Sequence, residues 1–349
     1  MILVNKITNV KRLFIVDEYF IYLKKINEDL YKICSNSFQI DLSSWTDRIF
    51  KLDDTFVVIL SNGKGVVLNK KTNTLEALPF ENVSSIQGKR VIFYYGGTFD
   101  KTYGVYDLLR QKVNFETAKF IGNFYFNDFG VDESQRVLIC RNLNNGNIRW
   151  EFSLKPYGSY LVNGQERKMN VEKFIGVYNG TLYIKAGTIL ILGVDIVNGN
   201  EVFKYKKDGK KHLFLGNLEL DHERGVIFSV GPKHYFETNL HTNDVTLSDH
   251  SEDTIKHAVQ SYKLGSWNDH LIYFWEGHTN NKFGVFDRRT KRIIFSGAIE
   301  EVAGKFSAIR DVKYNQHKLY VLDYYFTLHI FDIKAVSYTH LTLPTIYSV

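Results

Sequence analysis

A short hairpin unit that recurs along the whole chain constrains the fold more than any single residue. Its sharpest copy is Ile191-Leu-Gly-Val-Asp195-Ile-Val-Asn-Gly199-Asn-Glu-Val-Phe203-Lys-Tyr205. An apolar strand ends on an acidic or amide anchor, an Asn-Gly turn follows, and the second strand carries an aromatic eight positions after the anchor. The same layout places anchors at Lys24, Asn69, Asp107, Asn142, Asp195, Asn239, Asp287 and Asp332. Their mean spacing is about 44 residues, the period of a four-stranded propeller blade. Between the anchors, short β-branched and aromatic runs such as Phe56 to Leu60, Val91 to Tyr95 and Leu271 to Trp275 alternate with Gly, Asn and Asp punctuation, and apolar spacing near 3.6 is almost absent. The reading is all-β.

Two columns support the alignment. Six residues after the anchor stand Leu30, Leu75, Val113, Ile148, Glu201, Val245 and Ile293; eight after it stand Lys32, Ala77, Phe115, Trp150, Phe203, Leu247 and Phe295. Positions two apart share a face of a regular strand, so both columns are expected to pack against the next blade. The turn column, with Asn145-Gly146 and Asn198-Gly199 as its clearest pairs, supplies residues that accept the positive φ of a tight hairpin.

The hairpins Arg141 to Trp150 and Val194 to Phe203 resemble the repeat hairpin of quinoprotein-like (PQQ-like) β-propellers, and Phe283 to Ser296 is a weaker third copy. WD40-type repeats share the period, but their paired Gly-His and Trp-Asp marks do not recur. The expected architecture is an all-β propeller of four-stranded blades, eight or alternatively seven, occupying residues 1–335 as one domain and truncated at the C-terminus. Asp332 has no outer strand after it, so the closing strand is expected from Ile2 to Ile7 or from residues lost beyond Ala335. The segment Val336 to Val349 resembles the translation of a transposon-end sequencing adapter, and is set apart as a non-native tail. Loss of the natural continuation would leave an aggregation-prone edge.

Net charge is +6, and the basic runs are short, Lys206 to Lys211 and Arg288 to Arg292. Both are expected at solvated turns, which argues against nucleic-acid binding. The first four residues are the only apolar run at the N-terminus, too short for an export signal, and no stretch reaches membrane-span length. Two isolated cysteines, Cys34 and Cys140, suit a reducing cytoplasm better than a disulfide or metal pair.

No nucleophile elbow, phosphate loop, zinc-protease pair or Cys-x-x-Cys is present. All 11 His lie at or after position 212, and His234, His241, His250 and His257 have spacings that fit no common zinc pattern. Adjacent carboxylates at Asp17-Glu18, Asp53-Asp54, Asp132-Glu133 and Glu300-Glu301 are expected in turns between strands. Active quinoproteins, by resemblance, hold calcium beside the quinone and often carry an adjacent-cysteine disulfide; this chain has no neighbouring cysteines and no cofactor is expected.

The longest connections are Ser35 to Trp45, Ser153 to Asn170 and Ser248 to Lys256. The second carries Tyr157, Tyr160, Arg167 and Lys168, residue types common as interface anchors, and is the leading binding candidate. Trp275 is the second candidate, with core packing as its more ordinary role. The expected function is a non-enzymatic, monomeric scaffold that binds a protein partner through rim loops; the alternatives are a quinone-dependent dehydrogenase-like or hydrolase propeller and a nucleic-acid binder.

Overall fold

The computed structural model describes residues 1–16, 19–35, 38–52, 55–60, 63–69, 71–72, 74–97, 100–162, 164–206, 217–277 and 281–333. The tail from Val336, most of the Lys206 to Lys211 run and the pairs Asp17-Glu18 and Asp53-Asp54 lie outside the described residues. The strands form eight four-stranded antiparallel sheets, the blades of an eight-bladed β-propeller, and one separate two-stranded hairpin.

By Cα proximity the chain divides into two compact units. One holds Met1–Trp45, Gly231–His234 and the described residues from Ser248 onward. Blade I in this unit is Val10–Val16, Tyr19–Lys25, Tyr31–Ser35 and Gln39–Leu42. Blade VII is Lys263–Asn268, Leu271–Trp275, Lys282–Asp287 and Arg292–Ala298. Blade VIII is Ile309–Asn315, Lys318–Asp323 and Leu328–Asp332, with Ile2–Ile7 as its fourth strand. Strand Ile2–Ile7 pairs antiparallel with Leu328–Asp332, from Ile2 opposite Asp332 to Ile7 opposite Leu328. Of the two sources expected from sequence, Ile2–Ile7 is the one that closes the blade, so Leu328–Asp332 does not present the bare edge that loss of a C-terminal continuation would have left.

The other unit holds blades II to V and most of VI. Blade II is Thr46–Leu52, Thr55–Leu60, Gly65–Asn69 and Thr74–Ala77. Blade III is Asn82–Gln87, Arg90–Tyr95, Thr102–Asp107 and Lys112–Thr117. Blade IV is Phe124–Phe126, Phe129–Ser134, Val137–Asn142 and Ile148–Ser153. Blade V is Val171–Tyr178, Thr181–Ala186, Leu190–Asp195 and Glu201–Lys206. Blade VI is Glu219–Asp221, Val226–Val230, His234–Asn239 and Val245–Asp249.

Seven anchors end the third strand of a blade, and their residue type has a local cause. Asp195 Oδ1 accepts from the amides of Val197 (2.8 Å) and Asn198 (3.0 Å); Asp107, Asn69 and Asn239 accept from the two corresponding amides of their own turns. A short side-chain oxygen thus satisfies the turn backbone, which Ala or Leu could not do. Lys24 is the exception. It is the penultimate residue of the second strand of blade I, and the outer strand, Gln39–Leu42, lies inside the segment read from sequence as a loop.

The two columns part company. In blades III, IV and V a β-bulge falls between them: Ile148 pairs with Arg141 while Trp150 pairs with Cys140, its immediate neighbour. Neighbouring residues on a partner strand face opposite ways, so the bulge sends the two side chains to opposite faces. Ile148 is 45% exposed and Trp150 is 7%. The expectation that both columns bury is corrected for this reason. The eighth-position aromatics dock onto the next blade within this unit: an added Cβ on Gly146 would sit 2.8 Å from the Phe115 ring, and one on Gly199 2.7 Å from Trp150. Trp150 Nε1 also donates to the Ile196 carbonyl at 2.9 Å.

Candidate functional site

Between blades IV and V the chain makes an extra structure. The segment read as a long loop is a short 3-10 turn, Lys155–Tyr157, followed by a hairpin of Ser159–Val162 and Gln165–Lys168. Its base is locked by Arg136, a residue at φ +66, whose guanidinium donates to the carbonyls of Met169 (3.1 Å), Gly158 (2.8 Å) and Leu154 (3.4 Å). Leu154 and Met169 are fully buried at either end of the insert. Five donors in a planar fork let one arginine hold several carbonyls at once.

The three candidates in this segment have separate positions. Tyr157 hydrogen-bonds to Glu201 and lies under Lys204, whose Nζ is 5.2 Å from its ring. Tyr160 packs toward Gly187 and Met169, and its hydroxyl donates to Glu172 at 3.2 Å. Partial burial and the Glu172 carboxylate raise the Tyr160 phenol above its ordinary value. Arg167 stands opposite Tyr160 across the hairpin and is exposed. Sequence reasoning passed over Leu161, 73% exposed on the other face of the hairpin beside Glu166. An apolar pair, Leu161-Val162, directly after Tyr160 in an otherwise polar stretch was the available signal. Both strands of the hairpin have an outer edge that pairs with no strand among the described residues.

Trp275, by contrast, is 8% exposed and packs with Tyr273, Phe283, Val302 and Ile309 in the core of blades VII and VIII. The third long connection holds helix α1, Ser251–His257. A cleft of about 530 Å³ opens there, lined by residues 248–253 and 290–292. His250 lies 5% exposed beside Tyr262 and Phe286, and neither ring nitrogen forms a well-made hydrogen bond. Burial lowers its pKa, partly countered by the Gly231 backbone and by Asp249 and Asp253. Asp253 is committed elsewhere, accepting from Arg292 (3.1 Å) and the Ile293 amide (3.2 Å).

The remaining clusters have structural roles. His241 meets Tyr178 at 2.8 Å and His257 meets Ser296 at 2.8 Å. Arg288 is not a solvated turn residue as its run suggested; it is 3% exposed and donates to the Asp269 carbonyl at 3.1 Å. Asp132 and Glu133 lie within strand Phe129–Ser134 and not in a turn, with Asp132 accepting from Asn123 and Glu133 from the Arg136 amide. Among the described residues no three His, Cys, Asp or Glu side chains are grouped to hold a metal. Cys34 and Cys140 are single buried thiols in different blades, and burial pushes the Cys140 thiol up to about 12. These residues do not fit a quinone held with calcium and a vicinal disulfide, and no chemistry is derived through that group.

No protein-family model matches the chain, and no curated protein sequence does. Solved structures do. The protein is similar in fold to BamB from Moraxella catarrhalis, a PQQ-like repeat propeller, at 13% identity and TM-score 0.57 over 95% of this chain and 97% of that one. The C-terminal WD40 domain of Sif2 aligns at 11% identity and TM-score 0.62, covering 94% and 97%. Sqt1 from Saccharomyces cerevisiae aligns at 9% and 0.57, covering 95% and 97%. At these identities the likeness is one of fold.

Proposed function

We propose that this chain is a protein-binding propeller that engages its partner through the Ser159–Lys168 hairpin. The observation that carries the reading is a pair of strands, Ser159–Val162 and Gln165–Lys168, clamped at their base by Arg136, whose outer edges pair with no strand among the described residues and whose Leu161 is 73% exposed. An unpaired strand edge offers main-chain donors and acceptors to an extended segment, and a neighbouring apolar side chain supplies the anchor. Because the hairpin is held before binding, little ordering entropy is spent on association. Exposed Arg167 and Lys168 favour a partner segment with acidic residues at its ends. Single buried thiols support a reducing, cytoplasmic setting, and among the described residues no helix is long and apolar enough to cross a membrane.

Affinity capture from source lysate tests the reading. Wild-type protein is expected to retain a specific partner that the Leu161→Asp/Arg167→Glu variant loses at unchanged melting temperature. A partner retained equally by both forms would move the site elsewhere. Turnover of a small-molecule substrate, or a rise in melting temperature on adding quinone and calcium, would replace the reading with an enzymatic one.

A further inference from the structure

A second charged surface lies in the other unit, where the turn between the second and third strands of blade VIII meets the start of blade I. Its frame is buried and polar. Asp323, 2% exposed, accepts from the Thr327 amide at 2.8 Å and from His329 Nε2 at 2.8 Å. Backbone bonds tie this turn to both flanking segments: the Val10 amide donates to the Phe326 carbonyl at 2.9 Å and the Tyr324 amide to the Ala308 carbonyl at 2.8 Å. Phe326 is held at φ +62, a conformation that costs a non-glycine residue about 1 kcal/mol or more.

On this frame stand aromatics and cations. Tyr324 is 37% exposed, Tyr325 53% and Phe306 69%. Lys11 Nζ sits 3.5 Å from the centre of the Phe326 ring and the Arg310 guanidinium carbon 4.2 Å from the same centre; Arg310 also reaches the Tyr324 ring at 5.4 Å. Two cations therefore meet one ring; burial lowers the Lys11 pKa, and the charges of Lys25 and Arg310 lower it further against the opposing pull of Glu28. The carboxylates around them are engaged: Glu28 with Lys25, Glu301 with Lys6, and Asp323 with His329. Among the described residues neither Lys11 nor Arg310 has a carboxylate at ion-pair distance.

We propose that Lys11, Arg310 and the aromatic residues 324–326 form a binding site for an acidic segment of a protein, whose carboxylates pair with the two cations held on the Phe326 ring while a neighbouring apolar side chain rests on exposed Tyr325. A carboxylate there would relieve the repulsion between cations that the fold forces together. Ring-bound cations remain able to accept an anion at their outer side, and an aromatic rim adds apolar contact. An acidic peptide fits better than a nucleic acid for two reasons. The faces of Phe326 and Tyr324 are already covered by the chain's own cations, so no base can stack on the rings that carry the charge. The cations also converge on a single point, whereas a phosphate backbone needs a track.

The site is independent of the Ser159–Lys168 hairpin, and the test keeps the two apart. Fluorescence anisotropy with labelled oligoglutamate at low salt is expected to show saturable binding that weakens about tenfold or more in Lys11→Glu/Arg310→Glu, where the hairpin is untouched, and stays unchanged in Lys119→Glu, an exposed cation outside both surfaces. The neutral pair Lys11→Gln/Arg310→Gln, checked for an unchanged melting temperature, should give an intermediate loss and guards against misfolding of the charge-reversed form. No binding of the probe, equal binding by the Lys11/Arg310 variants, or tighter binding of oligothymidylate than of oligoglutamate would overturn the proposal.

Discussion

Trp150 shows how much one side chain can carry in this fold. Its ring is 7% exposed, contacts the Gly199 turn of the next blade, and places its indole N–H on the Ile196 carbonyl. Trp150→Ala is expected to lower unfolding free energy by about 3–5 kcal/mol, because both burial and a filled cavity are lost. Trp150→Phe keeps most of the area but strands a buried carbonyl, so about 1–3 kcal/mol is expected. Denaturant titration separates the two. His250 gives a prediction in pH. Burial lowers its pKa in the folded state, so the unfolded chain binds the proton more readily. Stability is therefore whole above the unfolded value near 6.5 and falls as pH drops below it. Nearby Asp249 and Asp253 oppose the shift without reversing it, His257 shifts the same way, and carboxylates held low by partners, such as Glu28 and Glu301, act only at lower pH. Melting curves at pH 7.5 and pH 5 should differ more for the wild type than for His250→Phe; equal differences would clear His250 of the role.

At the scale of the hairpin and the strand, much was legible and the failures have physical causes. The Asp or Asn anchor could be read because its oxygen does a local job, accepting its own turn amides, and local jobs leave residue-type signatures. Lys24 misled because Asn27, Asp29 and Leu30 imitate a turn and outer strand, while the true outer strand, Gln39–Leu42, is only four residues long. The bulges were not legible, since an extra unpaired residue has no composition of its own; only exposure of Ile148 beside buried Trp150 reveals it. Neither was Arg136, whose guanidinium donates to backbone carbonyls contributed by a distant segment. Its role predicts that Arg136→Ala loosens the insert while leaving the blades intact. Limited trypsin digestion should cut at Arg167 or Lys168 faster in the variant, with the main melting transition shifted by no more than a few degrees.

For the whole molecule, the repeat period announced a propeller whose last blade needed a fourth strand, from Ile2 to Ile7 or from beyond Ala335, and left that choice open. The strand is Ile2–Ile7, and its partner lies more than 300 residues away, a distance over which a single sequence offers candidates but no register. Five residue pairs join it to Leu328–Asp332, with a bulge between Leu3 and Asn5, and Lys6 adds an ion pair to Glu301. The exposure of Ile2, Leu3 and Val4, from 43 to 62%, means that burial of their side chains supplies little of the attraction. Main-chain pairing supplies most of it, and its removal leaves the donors and acceptors of Leu328–Asp332 facing water or another chain. A variant lacking residues 2–7 is therefore expected to keep most of its secondary structure by circular dichroism, melt at a lower temperature, and self-associate as concentration rises. Analytical ultracentrifugation across a concentration series reads the last effect. A monomeric variant with the wild-type melting temperature would mean that the first and last strands contribute nothing to stability, and that the blade holds on three strands alone.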